Sequence, residues 1–450
     1  MQQFRQNISL QKGTLKLMAH QRKLLAAAFF VVALNLAAQP DSVREHIRRQ
    51  MPMSTRTREV DSAGHLALPY PYSVPQAKGT TFMNMFYWDT YFTNLGLLSI
   101  GDVQQAKNNV DNIVYLIEKF GYMPNASNVS LLNRSQPPYA SMMARDVYEK
   151  TGDKEWLLKV LRTLEKEYAW WMSERVAPNG LNRHGNSATE EELTEFFIYL
   201  RAERFPFLRD RDFSREDILR IASGYLSEAE SGWDFNPRFE GRCEDFNPLD
   251  LNANLYLYEK NFAWFYRELG LKGASVWEKK AAARRKLMLK LFVDPKTGLM
   301  YDYDYVNGRL SKVYSAAVFN ALWAGIPSRA RAAAIVRELG RLECEHAVSA
   351  CEENDAPVVY QWDRPNAWAS FNTLAVAGLD RYGYKAEARR IASKYVESVS
   401  AIFGRTQQLW EKFNAVTGDI DVKDEYAMPG DFMGWTAGAF IYCQDYLAEN

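Results

Sequence analysis

The chain has 450 residues, enough for one large core or two to three ordinary ones, and its 55 Lys plus Arg balance 55 Asp plus Glu. That balance offers no net field to nucleic acid or an anionic membrane, so a small neutral ligand suits it better. Five His and four Cys (Cys243, Cys344, Cys351, Cys443) without CxxC spacing argue against a His/Cys metal site, and no motif asks for a cofactor.

At the N-terminus Arg22-Lys23 precedes an apolar run from Leu24 to Ala38, which closes on Leu36-Ala37-Ala38 before Gln39-Pro40. A basic start, a short apolar stretch and small residues at its end describe a secretory leader. The run is too short for a membrane span. Residues 1–38 are therefore read as a leader with a polar extension, and the mature chain as periplasmic or secreted. Residues 39–76 form a polar lead-in. No low-complexity linker interrupts 77–450, which reads as one domain.

Within it helix follows helix. Val103, Ala106, Val110, Ile113, Val114 and Ile117 recur at helical spacing, with Asp102 as N-cap and Gly121 as stop. Further helical stretches are expected near 136–151, 154–175, 189–203, 214–227, 250–270, 274–292, 328–343, 364–382, 385–402 and 434–447. About a dozen helices with loops gathered at alternate ends suggest a ring of helical hairpins, an all-α toroid. A Cys344–Cys351 disulfide and two free thiols fit the spacing equally.

The loops between helices combine aromatic and polar residues. Phe86-Tyr87-Trp88-Asp89-Thr90-Tyr91-Phe92 sets an acid among rings, either to accept sugar hydroxyls or to cap a helix. Met123-Pro124-Asn125 and Asn133-Arg134-Ser135-Gln136-Pro137-Pro138 gather amide, guanidinium and hydroxyl groups. Glu230-Ser231-Gly232-Trp233-Asp234-Phe235 packs Asp234 between two rings. An apolar wall raises the pKa of an acid, and a carboxyl group protonated near neutrality can donate to a leaving group. A plain turn-capping Asp is the alternative there. Gln361-Trp362-Asp363-Arg364-Pro365-Asn366-Ala367-Trp368 and Trp410-Glu411-Lys412-Phe413-Asn414 repeat the formula, with Glu425-Tyr426 downstream. The residues alone do not choose between Glu411 and Glu425 as a base to activate water. Asn125, Asn128 and Asn133 head glycosylation sequons, and a glycan on Asn125 would block the pocket.

At these residues the sequence resembles the trehalase family of glycoside hydrolases. Glu230 to Phe235 is similar to that family's ESGWDF, Gln361 to Trp368 to its QWDxPNGW, Trp88-Asp89-Thr90-Tyr91-Phe92 to WDSYF, and Arg134 to Pro138 to RSQPP. The resemblance runs from about Gly79 to Tyr446. It implies an (α/α)6 barrel and hydrolysis of an α-glucosidic bond with inversion, in trehalose or another small α-glucoside. Carried over by position, Asp234 is the general acid and Glu411, in a motif resembling EKYD, the general base. Phe82, Trp88, Asp89, Asn125, Arg134, Ser135, Gln136, Glu190, Gly232, Trp362 and Glu425 would contact substrate. A sugar-binding protein that has lost turnover, or a sugar lyase or epimerase on the same toroid, is the alternative.

Two family arginines are missing. The PGGRF segment reads Lys78-Gly79-Thr80-Thr81-Phe82, and RPE reads Ala188-Thr189-Glu190. Hydrogen bonds to a charged group are worth about 1.5–3 kcal/mol each. Unless Arg183, Arg364 or Lys78 swings in, trehalose is expected to be a mediocre substrate beside some other α-linked glucoside.

Overall fold

The computed structural model describes residues 38–79, 81–356, 358, 360–422 and 428–450. The leader, apart from Ala38, and Glu425 lie outside these. Fourteen α-helices occur among the described residues. The first seven are α1 (Pro40–Gln50), α2 (Tyr87–Ile100), α3 (Val103–Phe120), α4 (Ala140–Thr151), α5 (Lys154–Glu174), α6 (Glu190–Tyr199) and α7 (Arg215–Glu230). The rest are α8 (Leu249–Glu268), α9 (Ala274–Leu291), α10 (Ala317–Ala324), α11 (Arg329–Arg337), α12 (Ala369–Arg381), α13 (Lys385–Thr406) and α14 (Gly434–Glu449).

Helices α2, α4, α8, α10, α12 and α14 pack in that order into a ring, and α14 returns to α2 to close it. Several of these inner helices, such as the AVFNALWA of α10, are apolar nearly all round, as befits helices covered on every side. Outside them α3 covers α2 and α4, α5 covers α4 and α8, α9 covers α8, and α13 covers α12 and α14. Helix α11 adds Ala332 and Ile335 to the same core, and α1 completes the outer layer against α13 and α14. The result is an (α/α)6 barrel. Residues 39–76, expected as a lead-in, thus contribute its twelfth helix through Val43 and Ile47, both fully buried.

Small residues set how closely the ring closes. A Cβ on Gly438 of α14 would stand 1.9 Å from the Phe92 carbonyl oxygen of α2, and one on Gly96 would stand 2.8 Å from the Gly438 Cα. The α2–α14 seam therefore tolerates no side chain at either position.

Short strands tie the loops. β1 (Thr55–Arg58) pairs with β2 (Leu68–Ser73), both before the ring, and β3 (Phe246–Asn247), β4 (Tyr303–Asp304) and β5 (Arg309–Leu310) form a small sheet. β6 (Asn366–Trp368) pairs antiparallel with β7 (Lys412–Asn414), Trp368 opposite Lys412. This ladder delays α12 to Ala369, later than the helical pattern from 364 suggests. Pro137-Pro138 likewise delays α4 to Ala140. All four cysteines are free thiols, so Cys344 and Cys351 are not bridged.

Helices α6 and α7 stand apart from the ring as a hood. They have their own apolar cluster of Leu193, Phe197, Leu200, Phe205, Leu208, Ala222, Tyr225, Leu226, Phe235 and Tyr360. The α2–α14 seam gives a direct test of ring closure: Gly438→Ala should lower unfolding free energy by at least about 1–3 kcal/mol, the usual cost of overpacking. Denaturant unfolding measures it, and an unchanged midpoint would contradict the closed seam.

Candidate active site

The acid segment leaves the end of α7 and is clamped on both sides. Four residues before Asp234, the buried Glu230 accepts from Arg175 Nε (2.9 Å to Oε1) and Nη2 (3.0 Å to Oε2), from Gly185 N–H (3.0 Å) and from Ser135 N–H (3.0 Å). His184 Nδ1 lies 3.2 Å from its Oε1. Burial pushes the Glu230 carboxyl up, but Arg175 and His184 hold it down to about 2. Four residues after Asp234, the buried Arg238 reaches Asp250 (2.9 and 3.0 Å) and Asp302 (2.7 and 2.9 Å) in two-pronged pairs. Its guanidinium also lies 4.1 Å from the centre of the Trp233 ring. Asn236 adds a bond from its Nδ2 to Trp233 O (2.7 Å), and its Oδ1 accepts from Arg238 N–H (2.9 Å).

Between the clamps Gly232 takes φ +75°, a conformation disfavoured for other residues, and a Cβ there would stand 2.9 Å from the Trp88 indole. Trp233 belongs to the main core of the barrel, whereas Phe235 belongs to the hood's cluster. Asp234 thus sits at the seam between two apolar bodies. Burial raises its carboxyl to about 6, opposed by Arg204, its own backbone N–H and Arg134, and helped by Glu411.

The floor beneath is built from tryptophans of four separate segments. Trp362 stacks on Trp368 at 3.7 Å and lies 5.3 Å from Trp88 and 5.8 Å from Trp233. Trp435, at the start of α14, meets Trp368 at 5.4 Å and Trp88 at 6.1 Å. Asp89, in the first turn of α2, is raised by burial to about 7, with its own backbone N–H opposing and Glu411 and Asp234 adding to the rise. Asp89, Asp234 and Glu411 therefore lie near enough to feel one another's charge.

Glu411 immediately precedes β7 and is 4% exposed. Its Oε2 accepts from Lys412 Nζ at 2.8 Å, and that buried ammonium lies 4.4 Å from the centre of the Trp368 ring. A paired ammonium favours the ionised form of its carboxylate.

The remaining expected residues separate into two groups. Asn125 joins the site's wall: its Nδ2 donates to Ser135 O (2.9 Å), its N–H to Arg134 O (2.9 Å), and its O accepts from Tyr87 N–H (3.1 Å). Gln136 Oε1 accepts from Trp88 N–H (3.2 Å), which ties the Arg134–Gln136 loop to the start of α2. Arg134 feels Asp234 and Glu230, while burial lowers its pKa. Phe82 is half-buried, edge-on to Phe86 at 5.7 Å. Ser135, fully buried, spends its hydroxyl on Met123 O (2.6 Å) and serves through its backbone. Glu190 does not join the others: its side chain is 65% exposed at the start of α6 and paired with Arg215. Capping geometry accounts for this, since Thr189 and Glu192 form a capping box that turns the first residue of the helix outward.

Two further groups belong to the site. Lys412 was visible in its motif but had no assigned partner. Arg204 carries no motif signal at all, because the hood folds it in.

Comparison with known proteins agrees with this fold. The family described as Trehalase matches residues 33–448. A periplasmic trehalase of Xanthomonas axonopodis pv. citri (strain 306) is 32% identical over 425 residues, covering 90% of this chain and 73% of that protein. A periplasmic trehalase of Escherichia coli O1:K1 / APEC is 30% identical over 441 residues, 91% of this chain and 75% of that protein. Among solved structures, neutral trehalase Nth1 from Saccharomyces cerevisiae superposes with TM-score 0.72 at 26% identity, covering 84% of this chain and 74% of that one. The GH63 mannosylglycerate hydrolase from Thermus thermophilus shares the fold, with TM-score 0.62 at 17% identity over 89% of this chain and 99% of that one.

The clamp before the acid is open to test. Glu230→Ala leaves the buried Arg175 without its carboxylate and should cost about 3–5 kcal/mol of stability. Because the Glu230 carboxyl titrates at about 2 rather than 4.5, its stabilisation is present above pH 4.5 and lost as pH falls toward 2. The difference between wild type and variant in denaturant unfolding should therefore shrink on acidification.

Proposed function

The chain belongs to the trehalase family, and from that premise we propose that it is an inverting glycoside hydrolase cleaving the α-glucosidic bond of trehalose in the periplasm or outside the cell. One observation carries the reading: two carboxylates of one site stand in opposite environments. Asp234, in the apolar seam, keeps its proton up to about pH 6, while Glu411 is paired with the Lys412 ammonium.

In this reading Asp234 protonates the glycosidic oxygen as the bond to the anomeric carbon breaks. Glu411 takes a proton from a water that attacks that carbon from the opposite face, and the released sugar has inverted configuration. The two carboxyl groups are expected about 6.5–9.5 Å apart, leaving room for the water. Asp89, titrating near 7, both donates to and accepts from sugar hydroxyls near neutrality. Trp88 offers its ring, and Arg134, Asn125 and Gln136 hold the wall. Glu425, outside the described residues, is proposed as a further substrate contact. Residues 39–450, which include α1 of the barrel, form the catalytic domain, and 1–38 are the leader removed on export. No helix among the described residues is long and apolar enough to cross a membrane.

Turnover of trehalose by inversion yields one α- and one β-glucose, whereas retention yields two α-glucoses. Proton NMR before mutarotation should show the two anomers in equal amounts. Asp234→Asn and Glu411→Gln should each lower kcat by about 10²–10⁴-fold, the range for general acid and base groups. The rate should fall as pH rises through about 6, where Asp234 loses its proton. Early release of α-glucose alone, or an active Glu411→Gln, would contradict the assignment.

A further inference from the structure

Ala188 leaves the acid end of the site without a family arginine, and the three cations considered as replacements are used elsewhere. Arg183 Nη1 donates to His184 O (3.1 Å), Arg364 Nη1 to Cys344 Sγ (3.3 Å), and Lys78 is 62% exposed beside Asp431. A different arginine arrives from the hood. Beyond α6 the chain makes a π-helical turn, Leu200–Arg204, closed by a bond from Phe205 N–H to Leu200 O (2.7 Å). Phe205 is fully buried against Tyr225 (4.4 Å) and Phe235 (5.2 Å), which fixes the direction of the residue before it. The Arg204 guanidinium consequently lies 5.1 Å from the centre of the Phe235 ring. Its Nη1 donates to the Tyr199 hydroxyl (2.8 Å) and its Nη2 to Gln361 Oε1 (3.2 Å). Those partners bracket it: Phe235 follows the acid directly, and Gln361 precedes Trp362 of the floor.

Resting on the trehalase reading, we propose that Arg204 is a specificity-determining residue of this site, its guanidinium set beside Asp234 to bind hydroxyl groups of the sugar that leaves from that acid. It restores from another part of the chain one of the two donors lost at Thr81 and Ala188, so the expected penalty on trehalose is reduced to that of one arginine. A planar guanidinium held by the Tyr199 hydroxyl, Gln361 Oε1 and the Phe235 ring keeps a fixed direction, which a lysine would not reproduce. The same position makes it the leading cation opposing burial at Asp234. The other charged groups that Asp234 feels are Arg134 from the loop after α3, Glu411 from the segment before β7, and Asp89 from α2. Their balance sets the basic limb of the rate profile.

The test uses the full mature chain and the variants Arg204→Gln and Arg204→Lys, with Arg215→Gln on the outer face of the hood as control. Arg204→Gln should lower kcat/KM on trehalose about 10- to 100-fold, the worth of one charge-assisted hydrogen bond. Its basic limb should move to higher pH, since Asp234 loses a neighbouring cation. Arg204→Lys should keep the limb near its wild-type position while recovering only part of kcat/KM, and Arg215→Gln should match wild type. Thermal unfolding of each variant identifies a collapsed hood. An Arg204→Gln enzyme with wild-type kcat/KM, or one whose limb stays in place while Arg204→Lys loses as much activity, would overturn the proposal. Failure of the wild type to cleave trehalose in an Asp234-dependent way would instead overturn the trehalase reading.

Discussion

The site depends on the pinning of a short acid segment between two buried ionic nodes. Glu230 before it and Arg238 after it are held by hydrogen bonds from several different parts of the chain. Pairs so deeply buried bring little net stability, because desolvation offsets their attraction. Their effect is geometric. With both ends fixed, Trp233 must enter the barrel core and Phe235 the hood, and Asp234 is left at the junction. Burial there outweighs the neighbouring cations, which is the condition that keeps its proton.

That arrangement has a cost. Asp89 and Asp234 both titrate above 3.8, the ordinary value, so the stability tied to their protonated forms is present below that pH and is lost as pH rises through about 6 and 7. Near neutrality the fold therefore carries partly ionised, poorly solvated acids of like charge. The tryptophan floor and the closed ring of inner helices must offset this, while Glu411 has the Lys412 ammonium as a direct partner at 2.8 Å. The barrel tolerates this because its core is continuous around the ring, whereas the hood rests on a small cluster of its own.

Much of this was legible in the sequence, for reasons that differ by element. The outer helices announced themselves by apolar periodicity, as Val103 to Ile117 did for α3. Inner helix α10, eight residues long and apolar nearly throughout, has no amphipathic pattern to detect, and α1 was hidden among polar residues. Asp234 and Glu411, the proposed acid and base, stood out through motifs whose residues act locally. Ser135 and Glu190 sit in matching motifs too, but a buried hydroxyl bonded to Met123 O and an outward capping box decide what those side chains do. Arg204 was invisible because its place is created by tertiary packing of Phe205 against Phe235, which no local pattern encodes.

The central claim is that the seam keeps Asp234 protonated at the pH where the enzyme works. Infrared difference spectroscopy of wild type minus Asp234→Asn, recorded across a pH titration, isolates this carboxyl from Asp89, which is also protonated there. The account predicts a protonated-carboxyl C=O band that disappears with a midpoint near 6. A band that disappears near the ordinary Asp value of about 3.9 would contradict it.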